Sequence, residues 1–204
     1  MWFERFTFHL LHLGFTASVV DSSLFIFHSH GTIIYLLLYV DDIIVTGNNS
    51  TQISHLIATL SLVFELKDLG PLNYFLGIQI TYTKFGISLT QSKYASDILH
   101  RFHMENFKPT KTSCCPSTRL VPHDGVSLFD PTEYRSMVGA LQYLTFTRPN
   151  IAFSVHQLCQ LMSKPTSTHL EAAKHVLRYV KGSIHHGIHF FLGPLTLTTF
   201  SDVD

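Results

Sequence analysis

The chain has 204 residues, enough for one or two domains with a substantial core. Apolar residues make up 46% and charged residues 14%, against roughly 25% charged in a typical soluble domain; this excludes a charged, disordered tail protein. Lys and Arg together number 14, as do Asp and Glu, and a net charge of zero argues, as an average, against a strongly basic nucleic-acid binder.

Residues 2–13 read as a helix, with Phe3, Phe6, Leu10 and Leu13 at helical spacing and Gly14 as its stop. Opening directly on an aromatic helix is unusual for a domain and predicts a shortened N-terminus. Residues 24–27 and 33–40 are β-prone apolar runs joined by the polar tip 28–32, a hairpin pattern. A short run, Ile43-Ile44-Val45, follows Asp41-Asp42, so two strands flank an Asp-Asp tip. Asn49 or Ser50 caps a helix reaching about Phe64, with Ile53, Leu56, Ile57, Leu60 and Phe64 on its apolar face. Asp68-Leu69-Gly70-Pro71 breaks the chain. Residues 74–83 read as one strand, with Tyr74, Leu76, Ile78 and Ile80 on one face. Residues 84–86 turn, 87–89 return, and a helix runs from Thr90 through Leu99 and Phe102.

Residues 108–130 are rich in Pro, Ser, Thr and Gly and read as a linker. Asp130-Pro131-Thr132-Glu133 opens a helix to about Phe146. Arg148-Pro149-Asn150 separates it from a second helix reaching Met162. Pro165 with Ser167 or Thr168 starts a third, ending near Lys181-Gly182. On that third helix Ala173, Val176, Leu177 and Val180 form an apolar stripe, and Lys174, Arg178 and Lys181 a basic stripe beside it. Such a stripe can follow phosphates or simply face water. The tail, 187–200, reads as two short strands around Gly193-Pro194. The fold class is α+β.

Three cysteines cannot build a disulfide framework, and no Cys pair has zinc spacing. Fourteen histidines likewise show no ligand spacing with Cys or carboxylates, so they are expected at the surface or in packing. The longest apolar run is eight residues and ends in two aspartates, too short for the roughly 20 needed to span a membrane. The N-terminus lacks the layout of a signal peptide. An intracellular location is expected: cytoplasm, virus-like particle or nucleus.

The sharpest feature is Tyr39-Val40-Asp41-Asp42. Asp is common in turns, so a bare pair says little. Here apolar strands flank it, and two adjacent carboxylates at the end of a buried strand repel. A divalent cation would neutralise both, and magnesium accepts one or two carboxylates while leaving room for phosphates. That is the chemistry of two-metal nucleotidyl transfer.

Tyr39-Val40-Asp41-Asp42 between apolar strands resembles the active-site hairpin of reverse transcriptases. The surrounding blocks resemble the copia-type long-terminal-repeat retrotransposon branch: Phe64-Glu65-Leu66-Lys67-Asp68-Leu69-Gly70, Tyr74-Phe75-Leu76-Gly77-Ile78, Leu89-Thr90-Gln91-Ser92-Lys93-Tyr94, Tyr134 to Leu144, Thr147-Arg148-Pro149-Asn150-Ile151, and Leu177-Arg178-Tyr179-Val180-Lys181-Gly182. The ordered set covers nearly the whole chain. The resemblance implies a truncated palm, an antiparallel sheet with packed helices, followed by a helical thumb or connection region. It partitions the chain into a partial palm with a primer-grip-like hairpin (1–107), the linker (108–130), the helical region (131–186), and strands leading into a truncated ribonuclease H domain (187–204).

The resemblance also implies roles. Asp41 and Asp42 would hold Mg2+ or Mn2+ and act as catalytic carboxylates, and Lys67 would protonate the leaving pyrophosphate or, alternatively, simply be a solvated lysine near a helix end. Tyr39, Tyr74, Leu76, Gly77, Lys174, Arg178 and Lys181 would meet nucleic acid, and Asp202 would be the first ribonuclease H carboxylate. Partners implied for the intact enzyme are an RNA template, a DNA primer, a deoxynucleoside triphosphate and the upstream polymerase segment. The family's fingers and first catalytic aspartate lie upstream of Met1, so weak metal binding and no activity of this fragment alone are expected. The alternative is a non-catalytic nucleic-acid-binding or interaction module that keeps the fold.

The zero net charge is an average over unlike halves. Residues 1–90 hold three basic and six acidic side chains, and residues 91–204 hold eleven basic and eight acidic ones. The proposed metal site lies in the acidic half and the basic helix in the other.

Overall fold

The computed structural model describes residues 2–40, 42–114, 120–194, 196, 198 and 199. Asp41 and Asp202 therefore lie outside the described residues, as does part of the expected second tail strand. The chain divides into two compact units, Met1–Leu72 and Asn73–Asp204. The boundary expected at 107 thus falls inside the second unit. Among the described residues the architecture is α+β, with two antiparallel four-stranded sheets and six α-helices. No helix among them is long and apolar enough to cross a membrane.

In the first unit, helix α1 (Trp2–His12) precedes strands β1 (Thr16–Ala17), β2 (Leu24–Ser29), β3 (Thr32–Tyr39) and β4 (Asp42–Gly47), and helix α2 (Ser50–Phe64) follows. The sheet runs β1-β2-β3-β4. The β2–β3 turn is only His30-Gly31, with φ of +48° and +77°. Two left-handed residues match the twist of the flanking strands. The tip is shorter than the five polar residues 28–32, because His28 and Ser29 pair with Ile33 and Thr32.

The period-2 pattern of β3 sets its two faces. Ile34, Leu36 and Leu38 are buried, with Phe25 paired opposite Leu36. Phe6 and Leu10 of α1 and Leu56 and Leu60 of α2 complete that core. Phe64 seals its edge, with ring centroids 4.9 Å from Phe6 and 6.3 Å from Trp2. Asn49 caps α2: its side chain accepts the Gln52 N–H at 3.1 Å. Asn49→Ala is expected to cost about 1 kcal/mol, read as a lowered urea midpoint of the first unit.

The second unit joins β5 (Tyr74–Phe75), β6 (Ile78–Thr83), β7 (Gly86–Thr90) and β8 (Gly187–Phe191) into a sheet of that order. Its helices are α3 (Ser92–Arg101), α4 (Thr132–Leu144), α5 (Ala152–Cys159) and α6 (Ser167–Gly182), with a 3-10 turn at Pro149–Ile151. The expected single strand over 74–83 is instead a hairpin, broken at Leu76-Gly77, where φ is +47° and +75°. The alternation of apolar residues runs straight through this turn, so it hid the break. The first tail strand, β8, pairs with β7 from Gly86↔Phe191 to Thr90↔Gly187. Phe85 C=O accepts the N–H of Leu192 just beyond it at 3.2 Å.

The apolar stripe read on α6 is buried in full: Ala173, Val176, Leu177 and Val180. It packs with Ile98 and Leu99 of α3, Met137 and Leu141 of α4, and Val155 and Leu158 of α5. Tyr134 is fully buried and its hydroxyl donates to Leu158 O at 2.8 Å. Burial pushes that phenol up from its ordinary pKa.

The described parts of 108–130 are stitched to α6. Val126 and Ser167 exchange bonds: Ser167 N–H donates to Val126 O at 2.8 Å, and Val126 N–H to Ser167 Oγ at 3.1 Å. Leu128 N–H donates to Pro165 O at 3.1 Å. His169, fully buried, forms a capping box with Thr166. Its Nδ1 accepts the Thr166 N–H at 3.1 Å, so Nε2 carries the hydrogen and donates to Val121 O at 3.1 Å.

Arg148 is the largest fully buried side chain among the described residues, 1% exposed. It donates to Ser183 O at 2.9 Å, Ser183 Oγ at 2.7 Å and Asn150 Oδ1 at 3.2 Å. Its guanidinium stands 6.0 Å from the Tyr179 ring centroid. Burial lowers its pKa, opposed by the Tyr179 side chain. This knot ties the loop after α4 to the end of α6.

Candidate functional site

The residues singled out above fall into three places, one in the first unit and two in the second. In the first unit, Tyr39 and Asp42 sit directly opposite each other at the end of the β3–β4 hairpin. Cross-strand partners share a face. That face is the one away from Phe25, Leu36 and Leu38, and it also carries Tyr35, Leu37 and Ile44 by register. Asp42 is exposed and Tyr39 is 48% exposed. Val40, between the strands, has φ +51° and is 71% exposed. A β-branched residue with positive φ is an uncommon conformation that clusters at functional sites.

So Asp42 opens β4 instead of sitting in the turn itself. Among the described residues no group of three or more His, Cys, Asp or Glu side chains is placed to hold a metal ion. Asp42 is the one member of the Asp41-Asp42 pair that the structure describes. Lys67 is exposed in the irregular segment after α2, past Glu65, whose φ of +51° ends the helix. No hydrogen bond or ion pair links it to Asp42 among the described residues.

The second place is the β5–β6 tip. Tyr74 pairs with Gln79 and Phe75 with Ile78, leaving Leu76-Gly77 as the turn. Tyr74 is 52% and Leu76 38% exposed. The Tyr143 hydroxyl of α4 donates to the Leu76 carbonyl. The Tyr143 ring meets Tyr94 of α3 edge-on at 5.1 Å and Phe146 at 5.6 Å. Tyr94 donates to Ala140 O at 3.4 Å, and burial raises its phenol pKa. Tyr143 and Tyr94 are functional candidates that the sequence reading passed over. The available signal was a tyrosine at a half-buried helix position, where a phenol needs a polar partner.

The third place is the basic face of α6. Lys174, Arg178 and Lys181 are half-buried. Lys174 pairs with Glu171 at 3.3 Å. Arg178 Nε donates to Lys108 O at 2.7 Å, and Lys181 Nζ donates to Glu105 O and, at 2.8 Å, to Phe107 O. Arg178 and Lys181 thus hold the 105–108 segment, with part of their donor capacity left for an outside partner.

Comparison with known proteins adds the following. A family described as "Reverse transcriptase (RNA-dependent DNA polymerase)" matches residues 1–116. The chain is 44% identical over 204 residues to the Retrovirus-related Pol polyprotein from transposon RE1 of Arabidopsis thaliana, which covers 100% of this chain and 14% of that protein. It is 35% identical over 189 residues to the Retrovirus-related Pol polyprotein from transposon TNT 1-94 of Nicotiana tabacum, covering 86% of this chain and 14% of that one. It is also 46% identical over 177 residues to an uncharacterized mitochondrial protein of Arabidopsis thaliana, covering 83% of this chain and 71% of the relative. The chain thus spans about one-seventh of the two transposon polyproteins. No solved structure matches it.

Proposed function

The chain belongs to the reverse transcriptase (RNA-dependent DNA polymerase) family, and on that premise we propose that it is a nucleic-acid-binding segment of such an enzyme from a copia-type retrotransposon. Its first unit is the part of the palm that carries the Asp41-Asp42 hairpin. Its second unit bears the primer-contacting tip and the thumb or connection helices. The substrates of the intact enzyme are an RNA template, a DNA primer and deoxynucleoside triphosphates.

One observation carries this reading. Tyr39 and Asp42 stand opposite each other on the uncovered face at the end of a buried-cored hairpin. A polar, exposed end on an apolar strand pair suits contact with a charged substrate better than it suits stability. Asp41 and Asp42 are this chain's contribution to a Mg2+ or Mn2+ site. Two carboxylates from one hairpin leave most of an ion's coordination positions to water, so weak binding of either ion to this chain is expected. Lys67, if it acts on pyrophosphate, does so from a mobile-reach side chain on an exposed segment. Tyr74, Leu76, Gly77, Lys174, Arg178 and Lys181 contribute nucleic-acid contacts, and Asp202 belongs to a ribonuclease H site.

The 204-residue chain by itself binds an RNA–DNA duplex without extending it. In a primer-extension assay with Mg2+ or Mn2+, no templated product is expected. Binding of the same duplex should weaken steeply from 50 to 200 mM salt, as phosphate contacts require. Templated extension abolished by Asp41→Asn would show instead that this chain is a polymerase in its own right. Salt-insensitive binding would remove the nucleic-acid reading altogether.

A further inference from the structure

The Leu76–Gly77 turn closes a hairpin with one short arm. Strand β5 contributes only Tyr74 and Phe75 to the β5–β6 hairpin, and arms this short are marginal without outside packing. Leu76 has φ +47°, a left-handed conformation that an L-residue adopts against its steric preference. The Ile80 N–H donates to Asn73 O at 2.8 Å within the hairpin, and a contact from outside it would fix the turn against the helices of the unit.

Tyr143 is that support. Its hydroxyl donates to the Leu76 carbonyl, the group at the apex of the turn. A Cβ built on Gly77 would stand 3.6 Å from both Cε1 and the hydroxyl oxygen of Tyr143, so the glycine side of the turn faces the hydroxyl edge of that ring. The ring itself has little freedom. Tyr94 closes on it edge-on at 5.1 Å with planes 80° apart, and Phe146 at 5.6 Å with planes 70° apart. Tyr94 is anchored in turn on the α4 backbone through Ala140 O. The path from the buried helices to the turn is therefore Ala140, Tyr94, Tyr143, Leu76. It fixes the backbone of the tip while leaving the side chains of Tyr74 and Leu76 exposed.

We infer that Tyr143 is a positioning residue for primer binding: acting through the Leu76 carbonyl, it sets where the β5–β6 tip meets the 3′ end of the primer. The inference rests on the primer-contact reading proposed above and adds the device that aims that contact. A plain structural fastener would hold the turn equally well, so the two roles separate only in how the chain treats a primer end.

The test compares the full chain with Tyr143→Phe, which keeps the ring and deletes the donor. Two probes of equal length are used: an RNA–DNA duplex with a recessed DNA 3′ end, and the blunt duplex. Hydrogen exchange is followed over residues 74–80 with a thermal melt as the control for folding. The wild-type chain should prefer the recessed end by several-fold. Tyr143→Phe should lose that preference, keep the blunt-duplex affinity, keep the melt, and exchange 74–80 about tenfold faster. Unchanged exchange would overturn the inference, because the hydroxyl would not then hold the turn. Faster exchange with the wild-type end preference retained would overturn it as well, leaving Tyr143 a fastener only. A wild-type chain indifferent to the recessed end would defeat the primer-contact reading itself, and the inference with it, whatever the variant does.

Discussion

Arg148→Lys is expected to destabilise the second unit at least as much as Arg148→Met, by about 3 kcal/mol in each case. Substituting methionine removes the guanidinium donors that reach the Ser183 carbonyl at 2.9 Å and its hydroxyl at 2.7 Å; the carbonyl keeps the His186 N–H at 3.0 Å and the hydroxyl keeps its own bond to Tyr179 O at 2.8 Å. Ser183 is buried, and each hydrogen bond lost from a charged donor costs about 1.5–3 kcal/mol. Asn150 is exposed and can turn to water. Removing a buried cation also removes its desolvation cost, which is why the loss stays near 3 kcal/mol and does not reach the sum of the bonds.

Lysine is the sharper comparison. It keeps the charge buried, yet an ammonium is more strongly hydrated than a guanidinium and offers its donors from one point. It cannot span Ser183 and Asn150 while facing Tyr179. Urea unfolding of both variants decides the matter. A lysine variant as stable as wild type would mean that charge alone suffices at this position. A methionine variant more stable than wild type would mean that the network contributes specificity without stability.

Gly86→Ala should release β8 from the sheet. Gly86 pairs with Phe191 at the start of β7 and has φ +151°. A Cβ built there falls inside the van der Waals envelope of the Phe190 carbonyl, which is backbone and cannot step aside. Strain at a glycine-only conformation and the overpacked contact together cost about 3 kcal/mol. The sheet can shed that cost by letting β8 go. Hydrogen exchange over 187–191 should then rise at least about a hundredfold while α4 and α6 keep their protection. Slow exchange retained over β8 would refute the close-approach argument.

Much of the fold was legible because burial writes a period into the sequence. The α6 stripe of Ala173, Val176, Leu177 and Val180 translates directly into a buried face, and the apolar run 33–40 into strand β3. Asn49 and the Asp130-Pro131-Thr132 start were legible because orphan helix N–H groups need a nearby oxygen; Asp130 accepts the Thr132 N–H at 2.9 Å, and the Thr132 side chain together with that N–H holds its carboxyl below the usual range. The Leu76–Gly77 turn was not, because its apolar alternation matches a strand and only the backbone dihedral breaks it. The β7–β8 pairing was not, because two short strands carry no record of their partner.

The site shows the same division. The Tyr39–Asp42 hairpin end followed from local pattern alone. The basic stripe on α6 had the right spacing for phosphate, but spacing does not reveal competing acceptors. The carbonyls of 105–108 lie outside any helix or strand, and Arg178 and Lys181 supply donors to them. Tyr143 escaped notice for the converse reason: its partner is a backbone carbonyl 67 positions away.

The β7–β8 pairing has a consequence for synthesis. Strand β7 ends at Thr90, and its partner on that edge begins at Gly187, about a hundred residues later. The first unit has all its strands in hand by Gly47. On a ribosome adding about 5–20 residues per second, the β7 edge therefore waits on the order of 5–20 s for its neighbour. For that interval the nascent chain presents an open ladder carrying Ile87 and Leu89, a ready template for pairing with another copy. On polysomes, where many copies emerge side by side, holding that edge apart is a task for chaperones.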